Sequence, residues 1–218
     1  MRLAVVGLAV GAAAIQACPA SADPFELDGE VSLVSRYVDD DLSVYTRGPA
    51  LQPEVTLTHE ASGCYGSAWG SLGLHASDGD EVDLTVGCEL PVSENISIDV
   101  AAARYVFRDG GWSVVTAAAS YENFGIRAYY FMPDGDEPNG VRLAGSYRRE
   151  WAPVSATAEV VYDSGGHTGQ PDIAAARVEM RYSVAPRFHV SATVQVPLAA
   201  EDEDPRGAQV AAAITVDF

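Results

Sequence analysis

Apolar and polar residues alternate along most of this chain. In the clearest stretch Val82, Leu84, Val86, Cys88 and Leu90 are separated by Asp83, Thr85 and Glu89, the period of two that gives a strand one greasy and one wet face. The same alternation predicts strands over Glu30 to Tyr37, Ala50 to Glu60, Gly63 to His75, Ile96 to Phe107, Trp112 to Ser120, Gly125 to Met132, Val141 to Arg149, Val154 to Tyr162, Ile173 to Val184 and Phe188 to Leu198. A last strand begins at Val210, with Ala212, Ile214, Val216 and Phe218 on one face and Ala211, Ala213, Thr215 and Asp217 on the other. That makes about twelve strands, an even number, each near the length a tilted strand needs to cross a bilayer. The greasy face of the last strand needs a cover and its edge a partner. A closed barrel in a membrane supplies both, because lipid meets the outer face and the first strand pairs with the last. The expected fold is therefore all-β: a transmembrane antiparallel up-and-down β-barrel.

Connection lengths support this independently. Outer-membrane barrels have short periplasmic turns and longer outer loops. Here the connections at Ala61 to Gly63, Pro91 to Glu94, Tyr121 to Asn123, Trp151 to Pro153 and Ala185 to Arg187 are short. Those at Val38 to Pro49, Ala76 to Glu81, Pro133 to Gly140, Asp163 to Asp172 and Ala199 to Arg206 are longer, and Asp109 to Gly111 is a short exception. Tyr65, Tyr121, Phe124, Tyr147, Trp151, Tyr182, Phe188 and Phe218 fall beside the short turns. Rings with one polar edge settle at the membrane interface, so these residues read as a periplasmic girdle. Taken singly, each could instead be a core aromatic of a soluble β-domain.

The start of the chain carries a different signal. Met1-Arg2, the apolar run Leu3 to Ile15 and the small residues Ala20-Ser21-Ala22 predict an export signal over residues 1–22, leaving residues 23–218 as the barrel. Ile15-Gln16-Ala17-Cys18 only loosely resembles a lipoprotein box. Cleavage after Ala22 leaves Cys64 and Cys88, and the hairpin register counted through the turn at Ser77 to Asp80 places them several residues out of line, so they are expected not to pair. The formal charge is −18, and all 13 basic residues are arginine. Such acidity excludes nucleic acid as a partner, since its phosphates would be repelled. It suits a surface that gathers cations.

Ser35-Arg-Tyr37-Val38, Leu42-Ser43, Gly48-Pro49-Ala50-Leu51-Gln52, His59-Glu-Ala-Ser-Gly63-Cys-Tyr65-Gly and Ala68-Trp69-Gly-Ser71 together resemble the TorF-type porin family of proteobacterial outer membranes. The likeness covers the first three strands or so. Where that family has Arg-Gly after the Tyr-Val-aromatic step, this chain has Asp40-Asp41. The resemblance implies an outer-membrane barrel that passes small solutes.

If the greasy faces meet lipid, the wet faces line a lumen. They carry Arg36, Arg127, Arg142, Arg148, Arg177 and Arg181 with Glu54, Asp83, Glu89, Asp99, Glu159, Glu179 and Asp217. Opposed charges along a narrow water path sort solutes by charge; the same charges could equally plug the interior as ion pairs. Arg104 falls on the lipid face of its strand. Either it snorkels to headgroups at the outer rim or a bulge near Ala103 switches the phase. The outer loops concentrate acid: Asp39, Asp40 and Asp41; Asp78 and Asp80; Asp134 and Asp136; Glu201, Asp202, Glu203 and Asp204. They read as solvated loops that draw cations to the mouth, without calcium-loop spacing, since Pro138 stands where a ligand is needed.

No enzyme, cofactor or metal site is expected. Asp163-Ser164-Gly165-Gly166 is similar to the serine neighbourhood of trypsin-like proteases but lacks a partner histidine. His189, Ser191 and Glu203 are spaced like the triad of outer-membrane lipid A deacylases, but the first two face inward and Ala192 replaces the asparagine of that family. The expected function is a small, cation-favouring porin. A plugged barrel with a structural or adhesive role is the alternative, and a deacylase-like enzyme a more remote one. The expected partners are outer-membrane lipid and lipopolysaccharide, small solutes or cations, and the barrel-assembly machinery, which would take up the C-terminal strand ending in Phe218.

Overall fold

The computed structural model describes residues 24–40, 42–46, 48–75, 79–108, 110–164, 172–200 and 207–218. The expected export signal, Asp41, Asp78 and Glu201 to Asp204 lie outside the described residues. Twelve strands form: β1 (Phe25–Val34), β2 (Ala50–His59), β3 (Cys64–Gly73), β4 (Glu81–Ser93), β5 (Ile96–Phe107), β6 (Gly110–Tyr121), β7 (Phe124–Pro133), β8 (Gly140–Trp151), β9 (Val154–Asp163), β10 (Ile173–Ala185), β11 (Phe188–Ala200) and β12 (Gln209–Asp217). Each pairs antiparallel with its neighbours in sequence, and β1 pairs with β12 to close the barrel. Glu30 faces Asp217 and Val31 faces Val216 across that seam. No helix among the described residues is long and apolar enough to cross a membrane.

The alternation sorts side chains as the sequence predicts. Val82, Leu84, Val86, Leu90 and Val92 of β4, Ile126 and Tyr130 of β7, Val178, Met180 and Val184 of β10, and Val210, Ile214 and Val216 of β12 are all exposed on the outside. The residues between them turn inward. An outer face this apolar and this continuous calls for hydrocarbon around it, since soluble monomers rarely expose contiguous apolar patches of more than a few hundred Å².

Three expectations are corrected. First, β1 begins at Phe25 and leaves the wall after Val34, rather than running from Glu30 to Tyr37, so Arg36 and Tyr37 belong to the connection that follows. Second, Cys64 and Cys88 form a disulfide. Ser71 faces Glu81, while Leu72 and Gly73 pair only with β2; the β3–β4 register is therefore fixed ahead of the loop and sets Cys64 opposite Cys88. Third, no bulge occurs near Ala103, because β4 and β5 stay in register from Glu81–Phe107 to Pro91–Ser97. Arg104 thus stays on the outer face. Its guanidinium binds the Asp134 carboxylate and donates to Ser113 Oγ at 3.3 Å, and it lies where a side chain at Gly111 would stand. The bond from Arg104 holds the Asp134 carboxyl below its usual range.

The two faces respond differently to charge. Val86, 65% exposed at the middle of β4, is predicted to cost about 2–4 kcal/mol when changed to arginine. Ala118→Arg, which projects into the wide interior cavity, is predicted to be nearly neutral. Urea unfolding from detergent micelles or liposomes reads both.

Candidate functional site, the barrel interior

The wall puts every charged lumen candidate except Arg36 on its inner face. Glu54 faces Glu30 across β1 and β2, and Glu89 faces Asp99 across β4 and β5. Arg148 pairs with Glu150 at 2.8 Å, Arg177 with Glu179 at 2.9 Å, and Arg181 with Asp217 at 3.0 Å. Arg36, just past β1, donates to Gln209 Oε1 at 3.1 Å, and Arg127 to the Tyr129 hydroxyl at 3.1 Å. Glu54 and Glu89 have no ion-pair partner among the described residues, and Glu159 lies near Arg177 and Arg127. Tyr65, expected in the aromatic rim, instead points inward: it donates to Asp99 Oδ2 at 3.1 Å, with its ring in the space that a side chain on Gly87 would need. Tyr121, Phe124, Tyr147, Trp151, Tyr182, Phe188 and Phe218 stand on the outer face near the short turns. Phe124 and Tyr147 pack with their ring centres 4.9 Å apart.

The connection from β1 to β2 was the unforeseen element. Sequence reading assigns Asp39 and Asp40 to a solvated outer loop; the structure folds them into the barrel. Leu42, 1% exposed, packs on Ile173 and Ala175 of the inner wall, and Thr46 is buried with it. Leu42 adopts a left-handed backbone (φ 67°), which a branched side chain takes up only at a cost, so its packing offsets strain. Asp39 accepts from Arg142 Nη2 at 2.9 Å, and Asp40 accepts from Arg177 Nη1 at 3.0 Å. Tyr37 donates to Glu81 Oε2 at 2.8 Å and accepts at its backbone oxygen from Tyr45 N. Burial pushes the Tyr37 hydroxyl well above its ordinary range, so it stays a donor. The inward turn follows from charge: Arg142 is 5% exposed and Asp163, which takes its Nε at 2.6 Å, is fully buried. One carboxylate does not use up a buried guanidinium's five donors; Asp39 accepts from both Nη atoms, and Asp40 adds its charge at 3.7 Å. The other acidic positions behave differently. Asp80 accepts from Gly73 N at 2.9 Å, Asp134 holds Arg104, and Asp136 is exposed.

The inward segment divides the interior. Toward the short turns the lumen opens into a cavity of about 1200 Å³ lined by Tyr65, Glu89, Asp99, Arg127, Arg148 and Glu159 among others. Beside the segment a second space of about 290 Å³ runs past Glu30, Arg36, Asp40, Arg177, Glu179 and Arg181. Rings bridge the segment and the opposite wall: Tyr37 stacks on Tyr45 at 4.9 Å within the segment, Tyr45 on Phe107 of β5 at 5.9 Å, and Phe107 meets Trp112 of β6 at 4.7 Å. Arg142 lies 5.2 Å from the Phe131 ring centre. Of the residues considered for catalysis, His189 faces the lumen between Ser183 Oγ at 3.0 Å and Asp217 Oδ2 at 2.7 Å. Its partners are thus not Ser191, and Glu203 lies outside the described residues.

Residues 17–133 match the model of a family described as "Bacterial protein of unknown function (Gcw_chp)". No curated protein matches the sequence. Among solved structures, a KdgM porin is similar at 9% identity and a TM-score of 0.60, over 88% of this chain and 98% of the porin. A KdgM porin in complex with disordered oligogalacturonate gives the same TM-score and identity over 97% of its length. A NanC porin is similar at 11% identity and a TM-score of 0.56, over 88% of this chain and 99% of its own. At such identities the likeness is one of fold.

The anchoring of the inward segment is open to test. Arg142→Met is predicted to destabilise the barrel by about 3–5 kcal/mol, because it removes the buried guanidinium that Asp39, Asp40 and Asp163 share. It is also predicted to make residues 35–46 cleavable by added protease. Chemical unfolding and limited proteolysis of the folded protein measure the two effects.

Proposed function

We propose that this chain, which belongs to the Gcw_chp family through a match over more than half its length, is an outer-membrane channel that passes small solutes and favours cations. The observation that carries the reading is the open, carboxylate-rich interior: a cavity of about 1200 Å³ inside a wall whose outward side chains are apolar. Inward carboxylates outnumber inward guanidiniums, and Asp39, Asp40 and Asp163 engage Arg142 and Arg177, the arginines nearest the inward segment. Negative potential therefore remains over the path, and Glu54 and Glu89 contribute it without a paired cation. In a narrow lumen with low-dielectric walls that potential concentrates cations. The kinship in fold to KdgM and NanC porins, and the resemblance of Ser35 to Ser71 to TorF-type porins, are in keeping with it.

The same reading assigns the outward aromatics Tyr121, Phe124, Tyr147, Trp151, Tyr182, Phe188 and Phe218 to the periplasmic membrane interface, and Arg104 with Asp134 to the outer rim beside lipopolysaccharide. It gives the barrel no enzymatic step. One feature favours a second reading, a closed barrel with a structural role: the segment carrying Tyr37 to Thr46 enters the lumen and leaves only spaces of about 290 and 160 Å³ beside it.

Planar-bilayer recording separates the two. The channel reading predicts discrete conductance steps and, in a KCl gradient, a reversal potential on the potassium side of zero. Asp39→Asn combined with Asp40→Asn is predicted to move that potential toward zero, since each change removes a negative charge from the narrow part of the path. Absence of steps from folded protein would favour the closed barrel.

A further inference from the structure

We propose that the pocket between the inward segment and the aromatic wall binds small organic ammonium ions. The inference rests on the cation-favouring reading and names the solute class for the narrowest part of the path. The pocket has a volume of about 160 Å³, and Tyr37, Tyr45, Trp69, Tyr105 and Trp112 wall it, with Glu81 and Asp83 on the same side. This is roughly five water volumes as counted in the liquid, the scale of a compact alkylammonium.

Three features converge on that ligand. The rings present faces and edges around one space, with Tyr37 against Tyr45 at 4.9 Å and against Trp69 at 5.5 Å. Aromatic faces attract cations, and alkylammonium groups most effectively, because their charge is spread over carbon-bound hydrogens and they lose little hydration. Next, Glu81 and Asp83 both line the pocket from β4, and Glu81 accepts from the Tyr37 hydroxyl at 2.8 Å. Two carboxylates lining one small space attract a cation into it. Asp83 Oδ1 is buried and has no hydrogen-bond partner, which leaves an acceptor aimed at nothing in the chain. Finally, the wall already receives one organic cation: Arg142 stands over Phe131 and Tyr129 at 5.2 and 6.0 Å. Tyr37, Trp69 and Tyr105 carry no such partner among the described residues.

Other ligand classes fit less well. A divalent metal needs a close array of carboxylate, histidine or cysteine ligands, and the described residues form no group of three or more such side chains. A neutral sugar could stack on the rings but would leave the carboxylates facing apolar carbon, and an anion would meet them directly. An ammonium ion pairs its charge with Glu81 and Asp83 and lays its carbons on the rings.

Choline is a suitable probe, with 3,3-dimethyl-1-butanol as its uncharged counterpart and KCl at matched ionic strength as the inorganic control. Trp69 and Trp112 lie at the pocket, while Trp151, the third tryptophan, is on the outer face, so intrinsic fluorescence of the folded protein in micelles reads occupancy. Choline is predicted to give a saturable change that neither control gives. Asp83→Asn, which keeps the shape of the side chain, and Trp69→Leu are each predicted to move the midpoint up roughly tenfold. A non-saturable response, one matched by KCl or the neutral alcohol, or a midpoint unchanged in Asp83→Asn overturns the proposal. If choline fails to bind while bilayer recordings still show cation selectivity, the pocket assignment alone falls; if choline binds and no conductance appears, the channel reading alone falls.

Discussion

Backbone amides and carbonyls cannot be left bare against hydrocarbon, where each unpaired group costs several kcal/mol. The seam between β1 and β12 meets that demand for the whole molecule. With Glu30 to Val34 set against Ala213 to Asp217, no strand is an edge and each of the twelve has a hydrogen-bonded strand on both sides. Once closed, the wall leaves side chains only two places to go. The period of two then becomes a division between an aliphatic and aromatic exterior and a charged interior. The disulfide between Cys64 and Cys88 joins β3 and β4 on the outer face, near the short turns, and adds a covalent link where the hydrogen-bonded ladder already runs.

Inside, the organising group is Arg142. A guanidinium almost removed from water needs several acceptors and compensating charge. It draws Asp163 from β9 and Asp39 and Asp40 from the connection after β1. Arg177 completes the hold on Asp40. Charge compensation therefore determines where that connection goes. Its path in turn determines which lumen residues face open water and which face the aromatic wall. The same contacts that shape the interior also narrow it.

Strand positions were legible in the sequence because two environments differ sharply across each strand, and alternation reports that difference directly. Ile96 to Phe107 was read with the bounds the structure shows, and most others differ by one to three residues. The destination of Asp39 and Asp40 was not legible. A run of aspartates looks the same whether water or buried arginines receive it, and the decisive partner, Arg142, lies about a hundred positions away. The cysteine pairing was missed for a related reason: the register of β3 on β4 is set by Ser71 and Glu81 rather than by symmetric counting through the loop. Tyr65 was misplaced by its closeness to a turn, although its parity with Ser67 and Ser71 already put it on the inner face. The aromatic wall could have been found by collecting the rings on inward parities near the longer connections, Trp69, Tyr105, Phe107, Trp112 and Phe131.

The central claim is that each strand has hydrocarbon on one side and water on the other. Spin labels placed singly from residue 81 to residue 93 of β4, with the protein in lipid bilayers, test it most directly through collision with oxygen, which concentrates in lipid, and with a water-soluble nickel complex. The account predicts oxygen maxima at positions 82, 84, 86, 90 and 92 and nickel maxima at the odd positions between them. Equal accessibility to both reagents along the strand, or an alternation of the opposite phase, would contradict it.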